Sequence, residues 1–324
     1  SSFVYYTVTG SVYEQDFDSL PNPGSTSVNA NNPVTIDHTT YSLANPFDFA
    51  FPVAASGGSG GLGISDLAGW YGSSAATSQF GATVGDQTTG GVLDFGPTNS
   101  SDRALGLLAT SSTKGTAFGV KFINGTTNVL SQINLQFTGE VWRQSNLAKT
   151  LQFYYFVDPT ATATFPAGVT AFLPALNVSI PTVAADSGGV AVNGTLPINQ
   201  TNLSVSNLTI TNWPPGAALW LGWQMTDDTG KAQGLGIDNL SFSANVAPPP
   251  PSIPLNIQIS GTNLLLTWPT TEGQTYQLEY TDDLTDPTWT PLGNPLTGTG
   301  GTLTTTNNFS GASQLFFRLQ VINN

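Results

Sequence analysis

Apolar side chains recur at every second position along much of this chain, a period that belongs to β-strands and not to amphipathic helices. Ile133, Leu135, Phe137 and Val141 share one parity, with Asn134, Gln136, Thr138 and Glu140 on the other. Leu151, Phe153, Tyr155 and Val157 repeat the pattern, as do Leu219, Leu221, Trp223 and Met225. Successive side chains of a strand point to opposite faces, so each run buries one face and wets the other. Turn-forming clusters such as Gly57-Gly58-Ser59-Gly60-Gly61 and Trp213-Pro214-Pro215-Gly216 separate the runs. No helical period exceeds two turns. Charged residues are 8% of the chain, too few to coat the outer faces of long helices. The expected fold class is all-β.

The run Ala247-Pro248-Pro249-Pro250-Pro251-Ser252-Ile253-Pro254 favours an extended polyproline spacer. It marks a large domain over 1–246, a linker over 247–254 and a small domain over 255–324. The number of alternating runs in the large domain fits a two-sheet jelly-roll β-sandwich. In the small domain the runs at Leu255/Ile257/Ile259, Leu264/Leu266/Trp268, Tyr276/Leu278/Tyr280 and Leu315/Phe317/Leu319/Val321 resemble an immunoglobulin or fibronectin-III-like sandwich with Trp268 in its core. The small domain is short for that fold, which leaves room for a strand lent by a neighbour.

Composition narrows the function. The formal net charge is −13, with seven Lys and Arg, so no basic patch exists to displace counterions from phosphates. Nucleic acid and anionic membrane surfaces are therefore not expected partners. The absence of cysteine removes disulfides, zinc–thiolate sites and thiol nucleophiles together. No apolar run reaches the roughly 20 residues of a membrane span. An opening of Ser1-Ser2-Phe3 without methionine reads as a processed, exported chain.

Few residues offer catalysis. The one histidine, His38, follows Asp37, but no Gly-x-Ser-x-Gly elbow accompanies it, and a loop or strand-edge role is expected. Glu140, Trp142 and Arg143 stand together in Gly139-Glu140-Val141-Trp142-Arg143, where they make either a sugar-stacking platform or a structural Glu–Arg pair beside an indole. No paired-carboxylate motif is evident, and no enzyme is expected. The acids suit a divalent cation better. Leu235 and Ile237 are odd-numbered while Leu240 and Phe242 are even, so the apolar face changes parity at Asp238-Asn239 and requires a bulge. A bulge beside an acid, met by Glu14, Asp16 and Asp18 from the first strands, offers hard oxygen ligands for calcium.

Two further sets of residues bear on binding. Trp70, Tyr71, Trp142 and Trp220 are the aromatics expected to contact glycan. Phe3, Val4, Tyr5, Tyr6, Thr7 and Val8 form an uncharged, strand-forming segment that must be paired, in its own sheet or in a neighbour's by strand addition. Head-to-tail addition would build filaments. Asn124, Asn177, Asn193 and Asn207 stand in Asn-x-Ser/Thr triplets and are open to glycosylation.

Four segments carry a resemblance. Gln15-Asp16-Phe17-Asp18-Ser19-Leu20-Pro21, Ser100-Ser101-Asp102-Arg103-Ala104-Leu105-Gly106, Gly139-Glu140-Val141-Trp142-Arg143 and Gly236-Ile237-Asp238-Asn239-Leu240-Ser241-Phe242 together resemble exported jelly-roll proteins of Verrucomicrobia and Planctomycetes, of the type that often bears PEP-CTERM sorting tails. The first and last segments are similar to carbohydrate-binding and MAM-type jelly rolls. Those pair an early acidic strand with a late Asp-Asp/Asn segment around a structural calcium. The resemblance implies a secreted jelly roll and that metal, not an activity. The expected function is a secreted or cell-surface structural or adhesive protein that assembles with itself. The alternative is a lectin-like protein that binds extracellular polysaccharide.

Overall fold

The computed structural model describes residues 2–22, 35–36, 39–40, 43–53, 60–74, 80–111, 113, 115–165, 171–182, 188–225, 232–249, 252–311 and 313–322. His38 and Asp37 lie outside them. Contacts divide the chain after Ala247 into a large and a small unit. Strands are numbered in chain order.

The alternating runs of the large unit become the long strands of two sheets. The front sheet runs β13 (Ala171–Phe172), β12 (Gln152–Asp158), β16 (Ala218–Met225), β10 (Thr116–Asn124), β6 (Trp70–Ser73), β5 (Phe47–Asp48). The back sheet runs β14 (Val190–Ala191), β11 (Leu130–Gln144), β17 (Gly234–Asn245), β9 (Ala104–Leu108), β8 (Gly91–Phe95), β7 (Phe80–Thr83), with β15 (Gln200–Trp213) also paired to β11. A hairpin of β3 (Thr35–Ile36) and β4 (Thr39–Thr40) stands apart from both. The chain alternates between sheets from β10 to β12 and again from β15 to β17, as a jelly roll does. The described helical segments are single 3₁₀ turns at Ser65–Leu67, Pro174–Leu176 and Pro197–Asn199. No helix among the described residues is long and apolar enough to cross a membrane.

The inward parity of each strand fills the space between the sheets. Phe118, Val120 and Phe122 of β10 meet Leu219, Leu221 and Trp223 of β16, with Ile133, Leu135, Phe137 and Val141 of β11 opposite. Trp223 is the centre of this core. It stacks on Phe118 at 5.4 Å and on Trp70 at 6.1 Å, and takes Phe137 of the back sheet edge-on at 5.5 Å. Such offset and edge-on ring pairs each add about 0.5–1.5 kcal/mol beyond burial.

The first two strands are divided between the two sheets. β1 (Val4–Tyr6) runs parallel to β10 at Phe122–Asn124, just beyond the stretch that β6 occupies. β2 (Tyr13–Gln15) runs antiparallel to β17 at Leu240–Phe242, just beyond the stretch that β9 occupies. Gly10 turns the chain between them at φ +78°, a conformation glycine adopts freely, and its N–H donates to Ala244 O at 2.8 Å. Tyr6 is buried against Trp213 and Phe242, and its hydroxyl engages the Ala244 backbone. Val4, Tyr5 and Tyr6 of the segment 3–8, expected to suit strand addition, thus pair within their own sheet. The side chains of Phe3, Tyr5 and Val8 remain exposed on the outside.

The small unit holds two sheets, β18 (Asn256–Ser260), β19 (Asn263–Pro269), β23 (Thr302–Asn308) and β21 (Thr290–Pro291), β20 (Thr275–Thr281), β22 (Leu296–Thr297), with β24 (Phe316–Ile322) on the other edge of β20. Trp268 is fully buried with Leu266, Tyr276 and Leu278, as the sequence implied. Ile253 and Leu255 also pack on this core, so the small unit begins inside the expected linker. Ile257 and Ile259 differ from expectation. They face solvent on the edge strand, beside a cavity that Leu264, Phe309 and Phe317 also line.

Candidate functional site

Two places on the outer faces of the large unit gather the residues singled out above. The first lies on the front sheet. Outward parity on β10 and β16 brings Ala117, Lys121, Ala218 and Trp220 to one side, beside Tyr71 of β6. The chain after β12 forms a loop over them. Asp158 shapes it, accepting the N–H and O–H of Thr160 at Oδ1 and the Ala163 N–H at Oδ2. Ala161 takes a positive φ of 57°, and its carbonyl receives Lys121 Nζ at 2.9 Å. The loop returns Phe165 onto the sheet, stacked 5.7 Å from Trp220 and 6.2 Å from Tyr71. Gly119 makes room for that ring. A Cβ there would stand 2.9 Å from Phe165 and 2.5 Å from Leu221 O.

Between these rings and the chain at Ala44, Phe51 and Gly61 opens a cavity of about 480 Å³, lined also by Asp48, Lys121 and the Tyr71, Phe165 and Trp220 rings. Small-molecule sites span roughly 300–1,000 Å³ and combine apolar walls with a few fixed polar groups. Asp48 is fixed by the Ser2 N–H at 2.6 Å, the Ser2 hydroxyl at 2.7 Å and the Ala50 N–H at 3.0 Å. Lys121 Nζ sits 5.5 Å from the Trp220 ring centre, a cation–π distance. Burial pulls its pKa down, and the charge of Asp158 pulls it back up. Trp220 Nε1 is buried without an acceptor.

Of the four aromatics expected to contact glycan, Tyr71 and Trp220 lie at the wall of this cavity, both buried beside Phe165, and the other two do not. Trp70 has the inward parity of β6, is fully buried, and donates from Nε1 to Tyr13 Oη at 2.8 Å. Trp142 is 2% exposed, stacked 6.2 Å from Phe95 on the outer face of the back sheet under the backbone of Gly194. Neither presents a ring face to solvent. Lys121, Phe165 and Asp48 were missed by sequence reasoning. Lys121 had a signal, as one of the chain's few cations set inside the apolar run 118–123.

The second place is on the back sheet, where the four resembling segments meet. Gln136 pairs with Ser241 and Thr138 with Asp238, so β17 spends one residue more than β11, and Asn239 takes a φ of 50°. This is the bulge that the parity change required. It is where β17 exchanges β9 for β2 as its neighbour. Asp238 accepts both the backbone and side-chain N–H of Asn239, at 2.7 and 2.8 Å. Burial, then the charge of Glu140, with further push from Asp102 and Asp18, raises its pKa to about 8. Glu140 is raised to about 7, chiefly by burial, against hydrogen bonds from Trp142 Nε1 and Gln200 Nε2, both 2.8 Å. Arg143 is not its partner. That guanidinium donates to the carbonyls of Gly85 and Gly188.

The expected calcium ligands do not assemble as one set. Glu14 and Asp16 line a separate groove with Asp66 and Asn239. Asp18 accepts the Arg103 N–H at 3.1 Å and raises the pKa of Asp238 through space. No three acidic groups among the described residues stand close enough to hold one ion by themselves. The Arg103 side chain serves a different acid. It pairs with buried Asp94 at 2.6 Å and donates to Asp94 O and Pro97 O. Asn124 of the glycosylation triplets is buried, its amide given to the Asn128 and Trp213 carbonyls, and is closed to modification.

No protein-family model matches the chain, and no curated protein matches it. Solved structures with some likeness include the enzymatically active domain of tailspike protein 4 of bacteriophage CBA120, at 15% identity over 54% of this chain and 19% of that one, TM-score 0.29. A β-1,2-glucanase of Parabacteroides distasonis matches at 11% identity over 87% of this chain and 36% of that one, TM-score 0.26. The N-terminal CBM22 tandem of Paenibacillus barcinonensis Xyn10C matches at 10% identity over 72% of this chain and 83% of that one, TM-score 0.25. This chain therefore spans well under half the length of the first two. At these TM-scores the likeness carries no argument about function.

Proposed function

We infer that the large unit is a non-catalytic carbohydrate-binding sandwich of an extracellular or cell-surface protein, and that sugar enters the front cavity. The observation that carries this is one cavity walled by aromatic side chains, exposed Phe51 among them and the buried Tyr71 and Trp220 behind, with Lys121 and Asp48 held at its wall by backbone and loop. Apolar ring faces suit the C–H faces of a pyranose, and fixed polar groups suit its hydroxyls. A glycan array tests the reading. Binding by the wild type that Trp220→Ala abolishes supports it, and an array empty at high protein concentration overturns it.

Calcium belongs to the same proposal, in a reduced form. Asp18 and Asp238 would contribute to holding the ion, with backbone carbonyls completing the set, and tie the first strands to the last. The fit rests on Asp238 being a buried acid surrounded by other acids, with no cation among the causes of its shift. A cation there would lower the cost of its charge. Glu14 and Asp16 drop out of the ligand set.

A further inference from the structure

Lys121 is the part of the front cavity that stacking does not explain. An ammonium has three donors, and only one is used, toward Ala161 O at 2.9 Å. Of the two acids nearby, Asp158 acts on it through space, but neither accepts a hydrogen bond from it. Asp158 is bonded to Thr160 and Ala163, and Asp48 to Ser2 and Ala50. The lysine is nonetheless 6% exposed, packed over Trp220 on a cavity wall. Burying a charged amine with spare donors is costly unless something accepts them. The chain sets seven Lys and Arg against 20 Asp and Glu, so one of its few cations is placed where a small ligand would sit.

Resting on the carbohydrate reading of this cavity, the geometry points to an acidic sugar, a uronate whose carboxylate pairs with Lys121 while its ring lies in the cavity against Phe51. A carboxylate accepts at two oxygens, enough to serve the spare Lys121 donors. The net charge of −13 narrows the class. A long polyuronate is repelled by the acidic surface as a whole, with a reach of about 8–10 Å at physiological salt. A single uronate in an otherwise neutral glycan meets the local lysine without that penalty.

The test is calorimetric titration with disaccharides carrying glucuronate, galacturonate or mannuronate at one end, each beside its carboxyl-reduced neutral form, and with acetate. The wild type should prefer at least one acidic form over its neutral twin by about tenfold or more, the worth of one charge-assisted hydrogen bond. Lys121→Met should erase the preference, so that an acidic sugar and its neutral twin bind alike, and Lys121→Arg should keep part of it. Equal or weaker binding of the acidic forms overturns the inference and leaves the carbohydrate reading intact. A preference that survives Lys121→Met, or acetate competing as well as the sugar, also overturns it. If no disaccharide of either kind binds, the inference and the reading beneath it both fall.

Discussion

The large unit buries charge in two ways. On the front sheet a lone cation, Lys121, lies among rings with spare donors. On the back sheet Asp238 and Glu140 lie near other acids, and their pKa values rise. Asp94 is the internal standard for both. It is as deeply buried and burial raises its pKa too, to about 7, with the Arg103 guanidinium at 2.6 Å drawing it only part of the way back. The contrast lies in how each charge is answered. Arg103 meets Asp94 directly, whereas Asp158 acts on Lys121 only through space and no cation is among the causes of the Asp238 shift.

The largest expected effect comes from opening the Asp94–Arg103 pair. Arg103→Met leaves Asp94 buried and unpaired, and should cost about 3–5 kcal/mol in denaturant unfolding. Double replacement of Asp94 and Arg103 by apolar residues of similar volume should recover most of that loss.

Next in size is calcium. At about 100 times its dissociation constant an ion that binds only the folded state adds roughly 2.7 kcal/mol. Calcium should therefore raise Tm, and Asp238→Asn should abolish the rise. An equal Tm in calcium and in chelator would show the back acids to be structural without metal.

A pH series in chelator sharpens the same point. The folded pKa values of Asp238 and Glu140 lie above their ordinary values of 3.8 and 4.5. The stability that these groups contribute is therefore full below about pH 4 and is lost as pH rises through 7 to 8. Tm should fall over that window in chelator. Asp238→Asn should flatten the fall, and so should calcium.

Much of this was legible in the sequence because burial leaves a periodic trace. Period-2 parity located the long strands, and the parity change at 238 located the bulge. Trp268 as the small core's tryptophan followed from the same rule. Pairing partners leave no such trace, so the segment 3–8 admitted either its own sheet or a neighbour's. Parity also separates Trp70 from Tyr71, adjacent residues on opposite faces, yet does not say which face a loop will cover. Trp142 shows that limit. It has outward parity and is still buried, under the chain at Gly194. Lys121 and Phe165 come together only through the 158–165 loop, whose shape depends on capping by Asp158 and on Ala161 in a left-handed conformation.

A smaller effect is expected from Gly119→Ala. Its Cβ would crowd Phe165 and Leu221 O, at a cost of about 1–3 kcal/mol for overpacking. Glycan affinity should fall along with stability. The smallest change is expected at Ile259, 76% exposed in the small unit. Ile259→Lys should alter stability by no more than about 0.5 kcal/mol.

The central claim is that sugar is bound on the front sheet at Trp220. Indole N–H resonances, assigned by single Trp→Phe replacements, test it most directly during titration with the disaccharide that binds best. The account predicts a saturable shift of the Trp220 signal, with Trp142 on the back sheet unmoved. A Trp220 signal that stays fixed while sugar binds, or a shift confined to Trp142, would contradict it.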